Sequence, residues 1–366
     1  MTPITFSAAA EENRAIPDLA ELARTSLCEG DILNGPALRR FEAAVASAAG
    51  RTHAVATNSG TDALFFALTA AGIGPGDAVI VPAYSFVATA GAIVRTGATP
   101  VYADVQDAHG EAPYTLDLDR ARDAVTGATK ALVWVGMFGG WRDPAPVERF
   151  AADHSLLLIE DAAQSFGAGF GSRPAGSMGL ASAFSFDRQK VLGAPGTGGA
   201  VVTDDDGIAA RARALRWHGL ERGVVERLGY NTQMSEFTAA VLNAKLELLP
   251  DWLRARRSVA DRFDEAFADL PLAVPRWPGA VTHVRHKYVV ATEHRAELER
   301  ALAEAGVPTR RHYDRPLSAH PALASGEPRI PLAERLAEHS LSLPIHPFLT
   351  DGQVAHVVAA VRRFFA

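Results

Sequence analysis

The sequence predicts an α/β protein built on a mainly parallel sheet with helices over both faces. Three observations predict it. From about residue 50 to 205, short apolar runs of strand length alternate with segments of helical spacing. Several of those runs are continuously apolar, as strands covered on both faces are. The chain has 366 residues, 48% hydrophobic and 21% charged, which is enough for a large core and a second, smaller unit.

Taken in order, "HAVAT" (53–57) reads as a buried strand, and "TDALFFALTAAG" (61–72) has helical spacing with a glycine stop at Gly72. "DAVIVP" (77–82) is a strand, "FVATAGAIVRTG" (86–97) a helix, "TPVYADV" (99–105) a strand and "DLDRARDAV" (117–125) an amphipathic helix. "KALVWVG" (130–136), "APVERFAADH" (145–154) and "SLLLIED" (155–161) repeat the strand–helix–strand unit. "ASAFSF" (181–186) and "GGAVVT" (198–203) are two further strands with no helix between them. From about residue 206 helices dominate: "DGIAARARALRW", then the long stretch 235–270, where Pro250 is expected to begin or kink a helix. "HKYVVAT" (286–292) is a strand, "RAELERALAEAG" (295–306) a helix, "ASGEPRIP" (324–331) a turn-rich loop and "DGQVAHVVAAVRRFFA" (351–366) a final amphipathic helix. The expected division is a large domain over residues 1–245 and a smaller α/β domain over 246–366.

Charge and cysteine usage exclude several classes. The formal net charge is −6 and the pI about 6.1, against a nucleic-acid-binding face but compatible with one small phosphate held by amides and hydroxyls. The single cysteine, Cys28, can make neither an internal disulfide nor a cysteine-based zinc site. There is no HExxH and no other metal-like histidine spacing, so no metal is expected. "MTPITFSAAAEENRAIPDL" lacks the basic and apolar regions of a signal peptide, and "ALVWVGMFGGW" is about half the length of a membrane span. A soluble cytoplasmic protein is expected.

Three stretches carry candidate chemistry. In "ATNSGTDAL" (56–64) a strand ends at a Ser-Gly-Thr turn and a helix begins. The first helical amides there point outward with the positive end of the helix dipole, Gly60 allows close approach, and Ser59 and Thr61 add hydroxyls. Such a turn suits a phosphate, and it equally suits a simple N-cap. In "LLLIEDAAQSFGA" (156–168) Glu160 and Asp161 stand at a strand's carboxyl end, where open α/β sheets place ligands. A buried carboxylate needs a partner; a protonated pyridine nitrogen, a helix start or an arginine would serve. In "FSFDRQKVLGAPGTGG" (184–199) Lys190 lies among apolar and glycine-rich neighbours, as an amine poised to lose its proton requires, although a lysine there is also compatible with a solvated surface. The glycines fit neither a dinucleotide loop nor a P-loop, which disfavours a nicotinamide dehydrogenase. Together the stretches supply a phosphate cradle, an acid and an amine, which are the needs of pyridoxal 5'-phosphate.

These motifs resemble the DegT/DnrJ/EryC1/StrS aminotransferases, fold-type I pyridoxal phosphate enzymes that mostly aminate nucleotide-linked keto sugars. The resemblance runs along nearly the whole chain, through "GDILNGPALRRFEAAVA", "NSGTDALFFAL", "VPAYSFVATAGAIVRTGATPVYADV", "EDAAQSFGA", "FSFDRQKVLGAPGTGGAVVTDD", "LRWHG", "GYNTQMSEFTAAVLNAKLELL", "RHYDRPL" and "LSLPIHPFLTDGQV". It implies a seven-stranded sheet and a homodimer with shared sites. Lys190 is then the covalent carrier of the cofactor. Gly60, Thr61 and Ser185 bind its phosphate, Phe86 stacks on its ring, Asp161 pairs with the ring nitrogen and Gln164 reaches the ring hydroxyl. Asn231 reaches the phosphate of the neighbouring subunit, and His312 and Tyr313 line the sugar pocket. The implied reaction moves an amino group from glutamate or glutamine to a keto sugar in amino- or deoxysugar biosynthesis. A cyclitol aminotransferase, an aminohydroxybenzoate-synthase-like enzyme or a non-catalytic cofactor-binding sensor are the alternatives. Asp187, Thr197 and Gln233 depart from residues common in the family, and Asp187 is expected to point away from Lys190. Arg310 and Arg311 are candidates for the clamp on the donor carboxylate.

Overall fold

The structure, a computed structural model, describes residues 3–28, 30–110, 112–274, 276–326 and 328–366. Seven strands form the central sheet: β1 (His53–Thr57), β2 (Ala78–Pro82), β3 (Thr99–Ala103), β4 (Thr129–Val135), β5 (Leu157–Asp161), β6 (Ala181–Ser185) and β7 (Gly199–Thr203). Their spatial order is β1–β7–β6–β5–β4–β2–β3. All pairings are parallel except those of β7, which runs antiparallel to both β1 and β6. The expected run of strands and helices is therefore present, with the two helix-free strands accounting for the one reversed member.

Strand periodicity explains why both faces are covered. Val55, Val79, Val81, Val133, Val135 and Val201 point into one apolar cluster with the helices Gly60–Ala70, Val87–Arg95 and Asp206–Arg216. Their neighbours Ala54, Ala56, Ile80, Leu132, Trp134 and Val202 point into the opposite one, with the helices Pro36–Ala48 and Pro144–Asp153. The helix Gly60–Ala70 is apolar on nearly every side because it is buried on nearly every side.

The long stretch folds as one helix, Glu236–Ala266, and Pro250 lies inside it rather than at its start. Burial of Leu249 and Trp252 on either side holds the helix through the lost proline N–H. The expected boundary after residue 245 falls within this helix. Its first half packs in the second cluster through Ala239, Leu242 and Leu249, and its second half packs in a third cluster through Val259, Ala260 and Phe263. That third cluster also holds the antiparallel strands Tyr288–Ala291 and Ser340–Leu343 and the helices Arg295–Glu304 and Asp351–Phe365. Thr350 and Gln353 close a capping box at the last helix. Among the described residues no helix is long and apolar enough to cross a membrane.

Candidate active site

Four strand ends converge on one edge of the sheet. Ser59–Thr61 follow β1, Phe86 follows β2, Asp161 ends β5 and Ser185 ends β6. They border a cavity of about 360 Å³, which Lys190, Gln164, His312 and Tyr313 also line. Every residue predicted to hold the cofactor or line the sugar pocket is brought to it except Asn231; the two arginines offered as a carboxylate clamp are not.

The turn after β1 serves both readings made of it. Ser59 is the N-cap, its Oγ accepting from Asp62 N at 3.1 Å. Capping uses the third amide of the helix and leaves Gly60 and Thr61, both on the cavity wall, without an intrahelical acceptor. A Cβ on Gly60 would lie 2.5 Å from Ser185 Cβ and 2.9 Å from its Cα, so glycine is what lets this helix start meet the end of β6.

Glu160 and Asp161 are separated by the pleat. Glu160 is fully buried on the far side, where it accepts from Trp141 Nε1 (2.7 Å), Gly176 N (3.0 Å), Met178 N (3.1 Å) and Ser182 Oγ (3.0 Å), none of them an arginine. Asp161 faces the cavity with fewer donors: Thr89 Oγ1 at 2.8 Å and Ala163 N at 3.1 Å. Ser85 Oγ lies 2.8 Å from Thr89 Oγ1 and extends the chain. Burial raises the Asp161 pKa, opposed by Thr89, Ala163 and the charge of Lys190.

Lys190 lies in the loop between β6 and β7, its backbone N donating to Asp187 O at 2.8 Å. Its amine makes no hydrogen bond or ion pair with any described residue. Desolvation lowers its pKa, and Asp161 and then Asp187 oppose that shift. Asp187 therefore does not point away as expected: it lines the cavity, with Oδ1 accepting from Gln189 N at 3.0 Å, because the short turn before Lys190 keeps both on one side.

The remaining predicted residues divide clearly. Phe86 is 50% exposed at the cavity and no core aromatic; its ring lies 5.9 Å from that of Tyr313. Gln164 Oε1 accepts from Phe138 N at 3.0 Å and its Nε2 donates to Tyr313 OH at 3.3 Å. Tyr84 OH accepts from Tyr313 N (2.9 Å) and donates to His312 O (2.5 Å), fixing that pair at the rim. Burial and the cations Lys287, Lys190 and Arg310 hold the His312 pKa down to about 3, so it is neutral. Thr197 donates to Asn58 O at 2.8 Å, and Gln233 accepts from Asn34 Nδ2 at 2.8 Å. Asn231 is exposed and off the cavity of its own chain.

Neither arginine proposed as a carboxylate clamp lines the cavity. Arg311 is committed to Glu299, and Arg310 lies over the Phe6 ring, 5.6 Å from its centroid. Among the lining residues not anticipated are Thr89, His286 and Lys287. "HKYVVAT" was read only as a strand, and adjacent His and Lys carry no spacing signal.

A model of the DegT/DnrJ/EryC1/StrS aminotransferase family matches residues 14–362. The chain belongs to that family. It is 40% identical over 366 residues to the dTDP-3-amino-3,4,6-trideoxy-alpha-D-glucose transaminase of Streptomyces venezuelae, covering 99% of this chain and 95% of that one. It is 38% identical over 331 residues to the UDP-N-acetyl-3-dehydro-alpha-D-glucosamine 3-aminotransferase of Acidithiobacillus ferrooxidans, covering 89% and 88%. The crystal structure of S. venezuelae DesV superposes with a TM-score of 0.93 at 39% identity, over 100% of this chain and 99% of that one. The DegT/DnrJ/EryC1/StrS protein described here is an aminotransferase, and pyridoxal phosphate is its cofactor. The residues present fit that group: a helix start that a Cβ would block, an under-satisfied buried carboxylate and an unpaired amine share one cavity.

Proposed function

We propose that this enzyme transfers an amino group from glutamate or glutamine to a nucleotide-linked keto sugar. The observation that carries the reading is the convergence of Lys190, Asp161 and the Gly60–Thr61 helix start on one cavity. The names of the relatives support the sugar class. Bound pyridoxal phosphate supplies an electron-accepting ring for the transfer.

Gly60 and Thr61 amides and the Ser185 hydroxyl hold the phosphate end. Asp161, kept in place by Thr89, would hold a proton on the ring nitrogen of the cofactor. Phe86 would cover the ring and exclude water, and Gln164 would orient the ring hydroxyl. Lys190 would be the residue that carries the cofactor, and its amine would serve as the base at the donor's α-carbon. Its lowered pKa increases the neutral fraction able to do so. His312 and Tyr313 line the sugar side.

The working unit is a homodimer, with residues 246–366 as the smaller domain. Trp217, Leu220, Val224, Val225, Leu228 and Tyr230 are all exposed on the segment that ends at Asn231. An apolar patch of this kind marks an association surface, and docking it on a second copy brings Asn231 toward that copy's phosphate site. Leu228→Glu is expected to yield monomers by light scattering; an unchanged dimer rules out this surface.

Borohydride reduction followed by peptide mapping is expected to place the pyridoxyl group on Lys190. Incubating the aminated enzyme with nucleotide-linked 3-keto and 4-keto sugars is expected to restore the starting absorbance with one of them. A tag elsewhere, or no response to any sugar in the panel, refutes the reading.

A further inference from the structure

Lys287 is only 9% exposed and lines the same cavity, yet its amine makes no hydrogen bond or ion pair with any described residue. Its amine lies over the Phe6 ring, 5.3 Å from the centroid. Beside it, His286 is 4% exposed, also lines the cavity, and has an Nδ1 with no partner. Two buried, unpartnered polar side chains at one wall are costly unless a ligand completes them. The phosphate cradle lies elsewhere, at Gly60, Thr61 and Ser185, and Asp161 already has Thr89.

We infer that Lys287, flanked by His286, is the receptor for a substrate carboxylate in this cavity. The inference rests on the aminotransferase reading and deepens it. Every amino acid donor and every keto acid product carries a carboxylate on the reacting carbon, and neither arginine candidate lines the cavity. The carboxylate could also belong to the sugar, as in a hexuronate; the chemistry at Lys287 is the same.

The groups facing Lys287 make it a conditional cation. Burial, helped by repulsion from Lys190, Arg256 and Arg310 and opposed by Asp187, brings its pKa down to about 7. His286 and His312 nearby are held neutral, and His283 and Arg285 line a small void that Lys287 also borders. An arriving carboxylate favours the ammonium form, and its departure allows the proton to leave.

The test measures binding to the cofactor-loaded enzyme by calorimetry, with glutarate as an unreactive donor mimic and UDP-glucuronate against UDP-glucose on the sugar side. Wild-type affinity for the carboxylate probe is expected to weaken as pH rises through the range in which the Lys287 ammonium loses its proton, approaching about tenfold per unit. Lys287→Met is expected to lose about tenfold or more and to flatten that dependence; Lys287→Arg is expected to keep affinity with a flat profile, since guanidinium stays charged. Loss confined to glutarate assigns the donor's carboxylate, and loss confined to the preference for UDP-glucuronate assigns the sugar's. A change within about twofold for both probes overturns the inference, as does failure of the wild type to bind either. If Lys287→Met does not fold, Lys287→Gln and the wild-type pH profile decide, a flat profile counting against it. Exposure of the wild type to glutamate, glutamine and keto sugars tests the parent reading separately: without any spectral response that reading fails, while the ratio of wild-type to variant affinity still judges Lys287.

Discussion

Gly60→Ala adds one methyl group where β6 meets the phosphate-side helix. The new Cβ would sit 2.5 Å from Ser185 Cβ, 2.8 Å from its Oγ and 2.9 Å from its Cα. Unstrained carbon contacts need about 3.5–4.0 Å, so about 1 Å must be found. Side-chain rotation cannot supply it, because Ser185 Cα is backbone and Cβ is fixed to it. Either the helix start or the end of β6 must move. Gly199 resists the first: its own Cβ position is 2.3 Å from Ser59 O, so β7 is already against the turn. Overpacking of this kind costs roughly 1–3 kcal/mol, and the better helix propensity of alanine returns less than about 1 kcal/mol. Net destabilisation of the apoprotein by about 1–2 kcal/mol is expected. Because the displaced groups are the proposed phosphate ligands, cofactor affinity should fall by about tenfold or more. Urea denaturation of the apoprotein and a fluorescence titration with pyridoxal phosphate read the two effects. Stability within about 0.5 kcal/mol of wild type, with cofactor affinity unchanged, would refute the packing argument.

Asp161→Ala is expected to lower kcat by at least about a hundredfold while leaving the fold intact, since Thr89 can turn to Ser85; a kcat near wild type contradicts the role given to the carboxylate. Glu236→Ala removes the acceptor of Ala37 N and Leu38 N, both at 2.8 Å, from the start of the helix Pro36–Ala48. It should cost about 1–3 kcal/mol in chemical denaturation, and no loss would show that water replaces the cap. Lys287→Met should stabilise the apoprotein. The lysine titrates near 10.5 in the unfolded chain and about 7 in the folded one, so its burial penalty is fully present below pH 7 and is relieved as pH rises toward 10.5. The variant is therefore expected to exceed wild type by at most about 5 kcal/mol below pH 7, with the gap closing at higher pH; a gap independent of pH refutes the assignment.

Much of the site was legible because its parts are local. A turn after a strand, an acid at a strand's end and a lysine after a strand each announce themselves within a few residues. The sequence could also place Asp161 rather than Glu160 only by resemblance, since either residue can face the cavity until the strand's register is fixed. Thr89 was invisible for another reason: its bond to Asp161 spans 72 positions and depends on how the helix Val87–Arg95 lies on the sheet. Glu236 looked like an ordinary first-turn acid, yet it caps a different helix almost two hundred residues earlier in the chain.

What the sequence determined by itself was the alternation of strands and helices, the two-sided burial of the sheet and the three chemical groups the cofactor needs. These follow from periodicity and local propensity, which operate over one or two turns. Only the tertiary structure decided that Pro250 lies within a continuous helix, that Asp187 shares the cavity with Lys190, and that Lys287 is buried there without a partner. Those outcomes depend on which distant surfaces exclude water from a given atom. Desolvation is a property of the assembled packing, and no short stretch of sequence contains it.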